Sequence, residues 1–101
     1  MPRDLLLALA HAHAPAELAG CVRLLTHAIE IGWLGADSLR DLARDLERGH
    51  DVVIEELRFS HAGDGAGLEI ALLHDAARCD PRALIDWIYG LVAWYPERGH
   101  A

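Results

Sequence analysis

The last long stretch of the chain reads Asp80-Pro-Arg-Ala-Leu-Ile-Asp-Trp-Ile-Tyr-Gly-Leu-Val-Ala-Trp-Tyr95. Asp80 is a good N-cap residue, and Pro81 suits the first helical position, where an N–H would have no partner within the helix. Apolar residues then recur at spacings of three and four, the pattern of a helix that is buried on most sides. We therefore predict a central helix over residues 81–95, with four of its side chains largely buried: Trp87, Ile88, Leu91 and Trp94.

The N-terminal half of the chain also favours helices. Apolar stripes predict helices at about residues 2–13, 15–34 and 36–48, and the core positions on the second and third are Leu25, Ile29, Leu42 and Leu46. The predicted fold class is all-α: a single domain over residues 1–101, built as a compact bundle of five or six short helices around the buried C-terminal helix.

Residues 51–73 are the ambiguous part of the sequence. A turn at Asp64-Gly65 would form a hairpin with three pairs on one face: Leu57 with Leu72, Phe59 with Ile70, and His61 with Leu68. This alternation is a hairpin signal, so an α+β fold is the alternative. Most of these residues are nevertheless good helix formers, and their propensity favours helices at about 51–59 and 67–79 joined by a glycine-rich loop.

Composition restricts the classes of partner. Of the 101 residues, 52 % are apolar, and the net charge is −7 because nine arginines face sixteen acidic residues. Lysine, asparagine and glutamine are absent, which indicates a GC-rich, bacterial genome. A small acidic protein suits a basic protein partner better than a phosphate backbone, so we expect no direct contact with nucleic acid. The high apolar fraction also favours a homodimer.

The sequence predicts neither a membrane segment nor a metal site. No apolar run is long enough to span a bilayer. The two cysteines, Cys21 and Cys79, are too few for a disulfide framework, so we expect reduced thiols and a cytoplasmic protein. His27 with Glu30, and His74 with Asp75, are pairs of metal-ligand type, but no Cys-x-x-Cys or His-x-x-x-His pattern accompanies them.

One short motif suggests a cofactor. The stretch Leu34-Gly-Ala-Asp-Ser-Leu39 resembles the attachment motif of acyl and peptidyl carrier proteins, and residues 83–90 are similar to the final helix of that family. The resemblance implies that Ser38 would carry a 4′-phosphopantetheine arm. Trp33 replaces the acidic residue that usually precedes the motif, and extra residues separate the two matching parts. From its position alone, Ser38 is a helix cap, and no cofactor is then needed.

Carboxylates are concentrated in the middle of the chain. The predicted partner-binding residues are Asp41, Asp45, Asp51, Glu55 and Glu56. If the third helix and the segment after it share an exposed side, these carboxylates would face an Arg/Lys-rich surface. The alternative is that they are ordinary solvated charges, paired with arginines of the same helix.

No arrangement of catalytic residues can be argued from the sequence, so we predict a non-enzymatic protein. The favoured function is a small acidic protein–protein interaction module, of the kind found among inhibitors and bacterial immunity proteins, that acts on a basic or nucleic-acid-handling partner. The alternative function is a carrier protein with phosphopantetheine on Ser38.

Overall fold

The computed structural model of the protein describes residues 2–64 and 67–94. The chain forms four α-helices and four strands in the order α1 (Pro2–Ala12), α2 (Ala19–Glu30), α3 (Ala36–Glu47), β1 (Val52–Ile54), β2 (Leu57–His61), β3 (Leu68–Leu72), β4 (Asp75–Cys79) and α4 (Pro81–Trp94). A single 3₁₀ turn, Ala16–Leu18, precedes α2. None of the described helices is both long and apolar enough to cross a bilayer.

The predicted all-α helical bundle is therefore wrong, and the fold is α+β. The segments predicted as helices at 51–59 and 67–79 form a four-stranded antiparallel sheet in the order β1-β2-β3-β4. Strands β2 and β3 pair in the register of the alternative hairpin, with Leu57 opposite Leu72 and Phe59 opposite Ile70. The tip of this hairpin at residues 65–66, which includes the predicted turn residue Gly65, lies outside the described residues.

The burial of apolar side chains explains why the alternating pattern of residues 57–72 forms strands despite their helix propensity. Five side chains on one face of β2 and β3 are at most 2 % exposed: Leu57, Phe59, Leu68, Ile70 and Leu72. Alternate residues of a strand point to one face, whereas a helix would spread the same side chains around its circumference. Helix propensities differ by only a few tenths of a kcal/mol per residue, and each buried side chain of this size contributes about 1.5–3 kcal/mol.

The helices cover one face of the sheet, which we call the inner face. Residues on the opposite, outer face are mostly exposed, including Val53, Arg58 and Arg78. On the inner side, α2 packs against β3 and β4, while α3 packs against α4 and contacts β1. The predicted core positions Leu25, Ile29, Leu42 and Leu46 are all buried, as expected from the apolar stripes.

Helix α4 begins as the sequence predicts. The Asp80 carboxylate accepts a hydrogen bond from the Ala83 N–H at 2.9 Å, so it is the N-cap. Trp87 is buried, and its indole N–H donates to the carbonyl of His13 at 2.9 Å, which joins α4 to the end of α1. The predicted burial of Trp94 is wrong: this side chain is 54 % exposed and lies against the ring of His13, with centroids 4.0 Å apart.

Two helical glycines have different surroundings. A Cβ added at Gly90 in α4 would meet no atom within 4 Å, whereas a Cβ at Gly20 in α2 would lie 3.2 Å from the Cβ of Ala77 on β4. Gly20 therefore permits the close approach of α2 to the sheet. Gly90 has no such role and lowers the stability of the helix through its backbone entropy.

We expect Gly90→Ala to raise the free energy of unfolding by about 1 kcal/mol, because alanine is the better helix former and meets no neighbour. Gly20→Ala is the matched control, since the same helical gain is opposed there by crowding against Ala77. Urea denaturation followed by circular dichroism measures both variants. An equal gain at the two positions, or a loss at Gly90, would contradict this account of the two sites.

Candidate functional site

The structure separates the predicted partner-binding residues into three groups. Asp41 and Asp45 lie on α3, where the Arg44 guanidinium contacts the Asp41 carboxylate at 3.2 Å and Arg40 contacts Asp37 at 3.1 Å. Both contacts are exposed and span three residues of one helix. Such pairs contribute about 0.2–0.5 kcal/mol each and partly cancel the field of the helix. Asp37 and Asp41 are therefore paired with arginines of the same helix, as in the alternative interpretation of the sequence.

Asp51 is bound to the backbone of the sheet. Its carboxylate accepts a hydrogen bond from the N–H of His61 at 2.9 Å, and the His61 ring lies 3.0 Å from the carbonyl of His50. These contacts continue the pairing of β1 and β2 by one step beyond the strand ends. The geometry thus gives Asp51 a structural role at this end of the sheet.

Glu55 and Glu56 form the two-residue turn between β1 and β2. Both side chains are exposed, and Glu55 adopts a left-handed backbone with φ of 54°. Among the residues that the structure describes, neither carboxylate has an ion-pair partner. Asp51 lies at the other end of β1, about 13 Å away at the rise of a β-strand, so it is not part of the same surface.

A second two-residue turn lies at the same end of the sheet. Ile54 is opposite Leu57, Leu57 opposite Leu72, and Leu72 opposite Asp75, so the turns 55–56 and 73–74 follow one row of paired residues. They are two strand spacings apart, which is about 10 Å. We call the residues 55–56 and 73–75 the turn end of the sheet.

An open groove of about 700 Å³ joins the turn end to α2. The polar side chains that line it are Arg23, Thr26, His27 and Glu30 from α2 and His74 and Asp75 from the sheet; the apolar ones are Leu24, Leu72 and Leu73. We call it the α2–turn groove. Leu73 is 59 % exposed and has a left-handed backbone with φ of 57°, a conformation that leucine rarely adopts.

An ion pair closes one side of the groove. The guanidinium of Arg23 donates to the carboxylate of Asp75 at 2.8 Å. This hydrogen bond, together with the positive charge, holds the pKa of Asp75 below its ordinary value and raises that of Arg23. The pair also aligns α2 with β4.

The remaining titratable residues of the groove are imidazoles and carboxylates from both of its sides. His27 lies 3.7 Å from the carboxylate of Glu30, and His74 and Asp75 lie across the groove. Within residues 2–64 and 67–94, no three His, Cys, Asp or Glu side chains are grouped so as to hold a metal ion. The exposed imidazoles, guanidinium and carboxylates can donate or accept hydrogen bonds with a partner.

Ser38 is an N-terminal residue of α3 whose hydroxyl is engaged with the backbone. The hydroxyl oxygen accepts a hydrogen bond from the N–H of Gly35 at 2.7 Å, and the O–H donates to the Gly35 carbonyl at 3.1 Å. Gly35 is the N-cap, so Ser38 is the third helical residue and not the cap itself.

The α2–turn groove was not predicted from the sequence because segments that are far apart in the chain form it. Arg23 and Asp75 are brought together only when β4 packs on α2. The hairpin register does contain one usable signal: it places Leu73 and His74 in a turn, where an exposed leucine is unusual.

We expect Arg23→Gln to raise the pKa of Asp75 towards the ordinary aspartate value of about 3.9. Since the pKa is lowered in the folded protein, the stability contributed by the pair is present above about 3.9 and is lost as pH falls through the folded value. NMR titration of the Asp75 carboxyl group measures this. Arg58→Gln, on the outer face, is the control and should leave the Asp75 pKa unchanged. An ordinary pKa in the unmodified protein would contradict the ion pair.

Incubation with coenzyme A and a phosphopantetheinyl transferase should leave the mass of the chain unchanged, because the Ser38 hydroxyl is held by Gly35. Intact mass spectrometry is the measurement, with a known carrier protein as the positive control. A mass gain that Ser38→Ala abolishes would instead establish the carrier function.

Comparison with protein-family models, curated proteins and solved structures finds no match for this chain. A function therefore has to be proposed from the arrangement of the residues themselves.

Proposed function

We propose that the protein is a non-enzymatic, cytoplasmic binding module that docks on a basic protein through the turn end of the sheet. The observation that carries this proposal is the exposed pair Glu55 and Glu56, which has no ion-pair partner among the described residues. Because no described basic side chain pairs with these two adjacent carboxylates, their electrostatic field remains available to attract a partner.

The distribution of charge supports this surface over helix α3. Arg40 and Arg44 each contact a carboxylate within α3, so that helix presents both signs of charge side by side. The β1–β2 turn presents only negative charge. Since the whole chain carries a net charge of −7, a basic partner would be attracted at long range and oriented at short range by Glu55 and Glu56.

Leu73 supplies the apolar component that affinity requires. It is exposed at the tip of the neighbouring turn, beside a groove whose floor includes Leu24 and Leu72. An exposed leucine in a left-handed backbone is unfavourable in the free protein, and burial under a partner would offset part of that cost. In protein interfaces, side chains that become fully buried in a well-packed pocket carry most of the binding energy, and Leu73 beside this groove could be buried in that way.

The partner class follows from chemistry. A surface rich in Arg and Lys is common on proteins that handle nucleic acids, and an acidic module that covers such a surface would inhibit them. We therefore place the protein among inhibitors or immunity-type proteins, with the nucleic acid as the competitor and not as the ligand.

We expect Glu55→Gln with Glu56→Gln to slow association with the partner about tenfold at low ionic strength and to weaken its salt dependence. Asp41→Asn with Asp45→Asn on α3 removes the same charge and is the matched control, which should associate nearly as fast as the unmodified chain. The partner is first isolated from the source cell, and association rates are then measured at several salt concentrations.

Equal association rates for the Gln variant and the unmodified chain would contradict the proposal, and so would an equal loss in the Asn control. Circular dichroism of each variant shows whether the fold is intact. Light scattering over a concentration series tests the predicted homodimer: a stable dimer that buries the turn end would exclude this surface as the site for a different protein.

A further inference from the structure

Helix α2 lies along strand β4, and each of the three inner-face residues of that strand meets a residue of the helix. Asp75 contacts Arg23 at 2.8 Å, and Ala77 limits the space at Gly20 to 3.2 Å from a Cβ. The third position, Cys79, interacts with Cys21, since each shifts the pKa of the other. This α2–β4 seam brings together the two cysteines of the chain, although they are far apart in sequence.

The two thiols are free and lie next to the close approach of α2 to β4: Cys21 follows Gly20 on the helix, and Cys79 is the next inner-face residue after Ala77 on the strand. Cys21 is buried within the core at 1 % exposure, and Cys79 is half-buried at the end of β4. The interaction between the two thiols lowers the pKa of Cys21 and raises that of Cys79. Nothing in the proposed binding function uses them, since the turn end lies at the opposite end of β4.

We propose that Cys21 and Cys79 form a reversible disulfide, and that this pair is a site of oxidation by small disulfides such as oxidised glutathione. The inference is independent of the proposed binding function. It rests on the close packing of α2 on β4, which places Cys21 and Cys79 beside the approach of Gly20 to Ala77.

An open groove gives the oxidant access to one of the sulfurs. Cys79 lines a groove of about 690 Å³ together with Ala62, Gly63, Asp64, Gly67 and Arg78. Cys21 is enclosed by the core, so a molecule in solution reaches Cys79 first. The accessible cysteine therefore forms the mixed disulfide, and the buried one resolves it.

The exchange balances without any other reactant. The Cys79 thiol loses its proton, and its sulfur attacks one sulfur of oxidised glutathione, which breaks that S–S bond and releases one glutathione. The Cys21 sulfur then attacks the Cys79 sulfur and displaces the second glutathione. The two cysteines lose two electrons to the oxidant, and their two protons end on the two released glutathione thiols.

The electrostatics of the pair favour the second step and slow the first. The interaction with Cys79 lowers the pKa of Cys21 despite its burial, and the interaction with Cys21, together with burial, raises the pKa of Cys79. Cys21 is thus the better-ionised sulfur and is suited to the resolving step, because the thiolate is the attacking species. The first step needs an ionised Cys79 and should become faster as pH rises.

The experiment titrates the folded, full-length chain with glutathione buffers of increasing oxidation, followed by acid quenching, alkylation and intact mass measurement. We expect a monomer that loses two hydrogen atoms in mass and has no alkylatable thiol. Folding and the disulfide stabilise each other, so the native chain should oxidise at a glutathione ratio about 100-fold less oxidising than the same chain in urea.

Cys21→Ala is the mechanistic control. In that variant Cys79 should accumulate a glutathione adduct, which the unmodified chain resolves. Should the variant fail to fold, the comparison of native and urea-treated unmodified chains decides alone. The proposal is overturned if the native chain keeps two alkylatable thiols under buffers that oxidise the urea-treated chain, or if it forms only intermolecular disulfides.

Discussion

The structure depends on covering the inner face of the β2–β3 hairpin. Leu57, Phe59, Ile70 and Leu72 form two apolar cross-strand pairs, and all four are at most 2 % exposed. A sheet of this size is not stable alone, because its apolar face needs a second layer. Helix α2 supplies that layer over β3 and β4 with a stripe that includes Leu25. The remaining helices then pack against one another on the same side.

The way α2 meets β4 underlies both proposals. The lack of a side chain at Gly20 lets the helix approach Ala77, and the Arg23–Asp75 pair aligns the helix along the strand. One end of this seam forms the α2–turn groove, and the other places the two thiols beside one another. The proposed binding surface and the proposed oxidisable pair therefore lie at opposite ends of one helix–strand contact.

Whether a carboxylate is paired depends on which basic residues lie near it in sequence. On α3, arginines placed three residues after aspartates form local pairs, which need no tertiary structure. The arginine nearest in sequence to the β1–β2 turn is Arg58, and it lies on the outer face of the sheet. The carboxylates Glu55 and Glu56 consequently keep their charge for another molecule, and this makes the sheet, rather than α3, the basis of the proposed binding surface.

Much of the helical part follows from the sequence alone. The period of the apolar residues and the Asp80 cap predict α4, and local spacing predicts the ion pairs of α3, since these are interactions between neighbours along the chain. The alternation of apolar and polar residues also indicated the β2–β3 hairpin, but the helix propensity of the same residues favoured helices. Strands form because they bury Leu57, Phe59, Ile70 and Leu72 together beneath the helices. Three features could not be predicted from residues that are neighbours in sequence: the exposure of Trp94, the α2–turn groove and the interaction of Cys21 with Cys79. Each depends on which distant segments pack together.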